Sequence, residues 1–549
     1  MYAALSSRVA AGSTFPALKD EEFCEQQPPT VSPSSSRGPS TLERLRRSRV
    51  FTLTIFTAVV VLLFSDQNLM APNLSAIAAE FGFSDEEKDR RLGGDIAVAF
   101  FGFGAPASLV VGWLTDVVDR RKLFVAIVLL GELGALMTVF VTTFAQLFWA
   151  RAITGIAIGG GIPLVFSIMG DLVGSSRRTE ASGAIGISIG AGQGMGQVVA
   201  GFTGRCTSLG WRFPFLLVAL PCLVLTAVVF VATRDPPRGR REPGLQRHFQ
   251  SGGEYKEQPT CEGLRLLWNS PTVVMVMLQG LPGCVPWGVI SVYLNDFLHK
   301  QRGLTVEKAT VVVVMFGVAA SAGQLVGAKI GQLAYNRRPM LQPLLMGTTT
   351  LAGVLPCILM IRYMGGVFAV YAMYAVAGGF LAAVTGPNIK SVLMNVTLPS
   401  TRGTAFGVFN LFDDLGRGLG PAFVSVMISR GGREGAFTLA MLVWVVCGGI
   451  HLGMAWTVQR DERKVQAYLL EYAKRANTDK SVSVSPVSFP MMPISTRKYA
   501  AVSGGRDDDD SEACGGANGV TSDALVAEED EQYEAPLDSR RGSSSSNSS

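Results

Sequence analysis

Gly112-Trp-Leu-Thr-Asp116-Val-Val-Asp119-Arg120-Arg121-Lys122 joins two apolar blocks, residues 93–115 and 122–142. Each block is long enough to cross a bilayer core of about 30 Å at 1.5 Å per residue. A glycine, a carboxylate and a basic triplet pinched between such runs read as a tight turn between two membrane helices. Gly112 permits a close helix end, Asp116 can face the N-terminus of a neighbouring helix, and Arg120 and Arg121 can bind carboxylates. Asp171, at the end of the fourth block, is the expected partner.

Outward from this turn, apolar blocks recur at 50–71, 93–115, 122–142, 146–172, 180–204, 212–232, 269–298, 305–332, 340–363, 366–395, 402–429 and 434–458. Twelve such blocks predict an all-α membrane protein with twelve transmembrane helices. Composition agrees: 48% of residues are hydrophobic and 17% charged, with a mean hydropathy of +0.32. A soluble chain carries about 25% charged residues. The net charge of +5 comes with no basic stripe interleaved with aromatics, so nucleic acid is not an expected partner. The cysteines lie mostly singly inside apolar blocks (Cys222, Cys284, Cys357, Cys447), and Cys206 alone is expected at the exterior. The chain predicts no disulfide framework, metal site or cofactor. Its glycine-rich stretches lack the Lys-Ser/Thr of a phosphate loop, which argues against ATP use and against an enzyme.

Polar segments divide the chain. Residues 1–49 read as a disordered cytosolic arm, 50–232 as one six-helix bundle, 233–268 as a cytosolic central loop, 269–458 as a second six-helix bundle, and 459–549 as a disordered cytosolic tail. Arg46, Arg47, Arg120, Arg121, Lys122, Arg177, Arg178, Arg234, Arg238, Arg337, Arg338 and Arg460 fall on one side of this arrangement. The positive-inside bias makes that side, with both termini, cytosolic. The segment Gly331-Gln-Leu-Ala-Tyr335-Asn-Arg337-Arg338 repeats the opening turn in degenerate form, as an internally duplicated chain would.

The opening segment resembles the signature loop of the major facilitator superfamily, Gly-x-Leu-x-Asp-Arg-x-Gly-Arg-Arg, with Val117 and Asp119 at two departing positions. Arg151-Ala-Ile-Thr-Gly155 is similar to that superfamily's fourth-helix pattern. Within it the chain most resembles Spinster-like carriers, through Asp66, Arg151…Gly155…Asp171, Gly192-Gln193-Gly194-Met-Gly196, Arg234-Asp-Pro-Pro-Arg238-Gly and Gly416-Arg417-Gly-Leu-Gly-Pro421. Gln67, Ile158 and Arg417 stand where those carriers have Arg, Glu and often Asp. The resemblance implies the major facilitator fold, and export of lysolipids or sphingoid phosphates, often linked to protons.

Charged residues inside apolar spans are functional candidates because they are costly there unless paired or hydrated. Asp66 and Arg151 lie at matching depths near one end of the first and fourth spans, and are expected to pair and shape the outer cavity. Glu132, mid-way along the third span, must be protonated, paired or wet. Its structural reading outweighs a proton-coupling one. In Asn410-Leu-Phe-Asp413-Asp414-Leu-Gly-Arg417, Arg417 is three and four residues from the carboxylates and can reach either. Lys390 on the preceding span can neutralise the surplus carboxylate. Pro282 and Pro286 are expected to break the seventh helix, exposing backbone near Gln279 and Trp287. Gln67, Gln193, Gln197, Asn388 and Tyr293 are further lining candidates. Gly112, Asp116, Arg120, Arg121 and Asp171 form the expected cytosolic gate.

These readings converge on a monomeric carrier in the membrane lipid that moves a small organic solute by alternating access, with a lysolipid- or sphingolipid-like amphiphile as one candidate. One rival is a proton-coupled symporter or antiporter of an organic anion, sugar or drug; the other is a transporter-like receptor. Plasma and endolysosomal membranes fit equally.

Overall fold

The computed structural model describes residues 49–84, 87–203 and 209–478, and every regular element among them is helical. Expectations for the terminal arm, the distal tail and Cys206 lie outside the described residues. The first half contains α1 (Arg49–Ser65), α2 (Leu74–Phe81), α3 (Ile96–Val117), α4 (Arg120–Val139), α5 (Phe144–Leu172), α6 (Arg178–Thr203) and α7 (Phe213–Ala232). Short helices α8 (Gln246–Gln250) and α9 (Cys261–Trp268) lie in the central connection. The second half contains α10 (Pro271–Arg302), α11 (Val306–Arg337), α12 (Leu341–Arg362), α13 (Phe368–Ala383), α14 (Thr385–Asn395) and α15 (Arg402–Met454), followed by α16 (Val458–Thr478).

Ten stretches among the described residues are long and apolar enough to cross a membrane. The other two expected spans are also long helices. α6 runs for 26 residues but is rich in glycine, and the first part of α15 carries Arg402, Asp413, Asp414 and Arg417. Such rods face protein and water more than lipid. α15 joins the last two rods, bent at Gly432, whose φ of 75° an L side chain rarely adopts.

Within the first half, α3 and α4 pack on α5, α1 on α6, and α7 on α4 and α1. Within the second, α10 and α12 pack on α15, and α11 on α13. Glycines permit the tightest of these contacts. A Cβ on Gly155 or Gly159 would strike the α3 backbone at Phe100 or Gly104; Gly192 and Gly196 press on α1, and Gly323 and Gly327 on the α13–α14 rod. All these glycine faces act inside one half of the molecule. Gly112 differs: a Cβ there would lie 2.7 Å from the Gly403 carbonyl and 3.0 Å from Gly407 Cα, both on α15.

Two sequence expectations are corrected. α10 runs unbroken through Pro282 and Pro286; the Gly283 carbonyl between them accepts the Trp444 indole N–H at 2.8 Å. A neighbouring side chain thus re-engages backbone that the prolines disturb. The polar tail expected from residue 459 instead opens with α16. Its Val465, Tyr468, Leu469, Tyr472 and Ala473 repeat at helical spacing and bury against Leu245, Tyr255 and Leu398.

Candidate functional site

At one end of the molecule the two halves are fastened together. Asp116 at the end of α3 accepts the Gly403 N–H at 2.8 Å, the Thr404 N–H at 2.6 Å and the Thr404 hydroxyl at 2.7 Å. It caps the N-terminus of α15, where the helix dipole favours negative charge. Arg120 pairs with Asp171, and its Nε donates to Asp235 at 3.0 Å. Arg402, from the second half, donates to Asp171 at 3.2 Å and to Glu242 at 2.7 Å. Arg178 also pairs with Glu242, and its Nη1 donates to Asn395 at 2.9 Å. Asp171 further accepts the Gly239 N–H at 2.9 Å. Arg120, Arg178, Arg402, Asp171 and Glu242 are all buried, and charges buried this deeply persist only where each is paired.

The central connection thus inserts a carboxylate into the seal. Burial disfavours the Glu242 charge, but the Arg178 and Arg402 guanidiniums outweigh that and hold its carboxyl below its ordinary value. For Asp235 burial wins over Arg120, and its carboxyl is pushed up. Farther along, Thr179 on α6 donates to Ser391 on α14 at 2.9 Å, and its N–H to Gln332 on α11 at 2.8 Å.

The expected members Gly112, Asp116, Arg120 and Asp171 all sit in this seal. Arg121 does not: its Nη1 donates to the Phe230 and Thr233 carbonyls at 3.3 and 3.0 Å, stapling its own half. Sequence reasoning missed Glu242, Arg178 and Arg402 as members of the seal.

Toward the other end a cavity of about 690 Å³ opens between the halves. Gln67, Arg151, Gln193, Gln279, Trp287, Lys390, Asp413 and Arg417 line it. A recess of about 120 Å³ adjoins it and adds Asn410 and Asp414. The recess also shares Gln67, whose Oε1 accepts from Gln193 Nε2 at 2.8 Å. Lys390 reaches across from the second half to lie 4.9 Å over the Phe166 ring of α5, and Phe166 stacks on Phe406 at 5.1 Å.

Several candidates fall elsewhere. Asn388 is buried and bonds to Gln342, the Gly327 carbonyl and the Val384 carbonyl, so it fixes helices rather than lining the cavity. Gln197 is exposed away from the cavity, and Tyr293 donates to the Pro421 carbonyl. Arg417 makes no ion pair with Asp413 or Asp414 among the described residues; Asp414 instead accepts from Asn410 at 2.9 Å. Residues missed by sequence reasoning include Trp444, Cys447 and His451 on the cavity wall. His451 faces Gln279 Oε1 at 3.2 Å, and a histidine inside the last apolar block was the available signal.

The Asp66–Arg151 pairing also changes form. α1 stops at Ser65 and the chain tightens into a 3₁₀ turn from Asp66. Arg151 Nη1 then donates to the Asp66 carbonyl, not its carboxylate, at 3.3 Å, and Nη2 to Thr138 at 2.9 Å. Glu132 joins the same buried cluster, beside Cys222. Neither carboxylate meets a hydrogen-bond donor at bonding geometry among the described residues. The arrangement holds one cation, Arg151, on the cavity wall beside two carboxylates that lie behind it.

Residues 55–421 match the sequence model of the Major Facilitator Superfamily. The chain is 24% identical over 390 residues to the 3-(3-hydroxy-phenyl)propionate transporter of Escherichia coli (strain K12), covering 69% of this chain and 87% of that one. It is 21% identical over 475 residues to protein spinster homolog 1 of Xenopus laevis, covering 80% and 87%. The solved structure of the proton:xylose symporter XylE, bound to 6-bromo-6-deoxy-D-glucose, matches with a TM-score of 0.59 at 16% identity, covering 75% of this chain and 96% of that one. That likeness shows a shared two-bundle fold. With a match spanning both halves of the cavity, this chain belongs to the Major Facilitator Superfamily, a multi-pass membrane transporter with Spinster proteins among its relatives.

Proposed function

We propose that the protein carries a small organic solute across its membrane by alternating access, with two six-helix bundles rocking about the cavity. One observation carries this reading: the cavity opens at one end while an ion-paired seal closes the other. A single chain supplies both bundles and the cavity residues named above, which supports a monomer as the working unit. The sealed end holds Arg120, Arg121, the central connection and α16, and by the positive-inside bias it is cytosolic, as are both termini. The cavity shown therefore faces the outside or an organelle lumen, and plasma and endolysosomal membranes fit equally.

Trp287, Phe100, Phe101, Met70 and Leu74 give the cavity apolar walls above a charged floor at Lys390, Asp413 and Arg417. That combination suits an amphiphile with an apolar body and a charged head. The lysolipids or sphingoid phosphates implied by the Spinster resemblance have this shape, as does a hydroxyphenylpropionate. The test is uptake of a mixed metabolite and lysolipid pool into proteoliposomes holding the full-length protein. Saturable accumulation of an amphiphile supports the reading. Binding without flux favours a receptor, and neither binding nor flux for any compound contradicts the proposal.

A further inference from the structure

The recess at the cavity floor contains two cations and two carboxylates: Lys390, Arg417, Asp413 and Asp414. Its fixed charges cancel. Asp414 is engaged by Asn410. Lys390, Asp413 and Arg417 make no ion pair among the described residues, and all three line both the recess and the main cavity. A solute reaching the floor therefore meets two cations without a carboxylate partner, Lys390 lying over the Phe166 ring.

An anionic head entering a neutral, protein-walled recess leaves it one negative charge in excess. An uncompensated charge in such surroundings costs several kcal/mol. Protonation of one carboxylate removes that excess. Asp413 is the available one, since Asp414 already holds Asn410. Asp66 and Glu132 line neither space.

The groups that face Asp413 are few. Asp414 and Arg417 flank it on α15, and Lys390 faces it from α14. Cys284 on α10 lies beside it, as does Cys447 on the last rod. His451 and Arg151 lie on the same cavity wall. Arg151 is already committed to Thr138 and the Asp66 carbonyl.

We propose that this recess is a linked proton–anion site: the singly charged anionic head of the solute binds Lys390 and Arg417, and Asp413 takes one proton from the same side for that one negative charge. This rests on reading the cavity as the transport site. By linkage, the proton tightens anion binding and the anion favours protonation of Asp413 by the same factor. When the opposite end opens, anion and proton leave together. A zwitterion with its cationic group on Asp413 brings no proton.

The test uses full-length protein with two probes that each keep one negative charge over the range, 3-(3-hydroxyphenyl)propionate and lysophosphatidylglycerol, titrated by calorimetry at neutral and mildly acid pH. Binding of at least one probe is expected to tighten as pH falls, by at most about tenfold per pH unit. Asp413→Asn, a permanent neutral mimic, is expected to bind at the acid-side affinity at every pH. Lys390→Gln is expected to lose tenfold or more. Wild-type protein in weak buffer is expected to take up one proton for each singly charged probe bound, a readout independent of whether the variants fold. A pH dependence persisting in Asp413→Asn, undiminished binding in Lys390→Gln, no proton uptake, or no binding of either probe overturns the proposal. Solute flux in the proteoliposome assay is unaffected by those outcomes, so a failure here is distinguishable from failure of the carrier reading.

Discussion

Asp116 and Thr404 join the two halves of the molecule: one carboxylate oxygen accepts both the Thr404 N–H at 2.6 Å and its hydroxyl at 2.7 Å, while the other accepts the Gly403 N–H. Opening the sealed end must break all three bonds. Asp116→Asn removes the charge and one acceptor, at a cost of about 1–3 kcal/mol. The expected outcome is a shift of roughly one to two decades from sealed toward opened protein. Thr115 is fully buried against Gly403 at this contact, so a thiol reagent reaches Thr115→Cys only when the seal opens. Labelling of Thr115→Cys is expected to be faster in the Asp116→Asn background than with the carboxylate in place.

The Glu242 carboxyl is held below its ordinary value, so it binds fewer protons folded than unfolded. Its stabilisation is full above the unfolded pKa of about 4.3 and is lost as pH falls through the lower folded value. Glu242→Gln leaves Arg178 and Arg402 short of a counter-charge, which at neutral pH costs about 3–5 kcal/mol. Thermal unfolding of both proteins across pH checks this. The gap is expected to stay wide from neutral pH to about 5 and to narrow below about 4.

One guanidinium beside two carboxylates makes Arg151 less dispensable than Glu132. Arg151→Met strands Asp66 and Glu132 and is expected to destabilise by about 3–5 kcal/mol. Glu132→Gln keeps the side chain's shape and leaves Arg151 beside the Asp66 carboxylate, and is expected to be neutral or stabilising. Melting temperatures in detergent distinguish the two, and a larger loss in Glu132→Gln would contradict the cluster's charge logic.

Gly155 lies where a Cβ collides with the Phe100 backbone on α3, whereas Gly194 has open space around it. Gly155→Ala is expected to cost about 1–3 kcal/mol through forced separation of α3 and α5. Gly194→Ala is expected to stay within about 0.5 kcal/mol. Paired denaturation curves provide the comparison.

The rods were legible because an apolar run near 20 residues has one stable use. Asp116, Arg120 and Asp171 were legible because their spacing fits a helix cap and an ion pair. Glu242 was not: it sits in a polar connection, and its partners Arg178 and Arg402 lie 64 and 160 residues away in sequence. Asn388 and Asn410 show a second limit. Both are amides inside spans, yet one ties helices together and the other faces a recess. Which way an amide points depends on helix rotation, which an apolar block with little periodic pattern does not encode. α16 was legible in principle, since its apolar residues repeat at helical spacing, but its polar composition masked that period.

Thr179 on α6 and Ser391 on α14 place their hydroxyl oxygens 2.9 Å apart across the two bundles at the sealed end. Thr179→Cys/Ser391→Cys puts two sulfurs where a reversible disulfide can lock that end. The most direct measurement is solute flux through this double variant in proteoliposomes, oxidised and then reduced. The account predicts that flux stops on oxidation and returns with reductant, while solute still binds from the open end. Undiminished flux through fully cross-linked protein would contradict it.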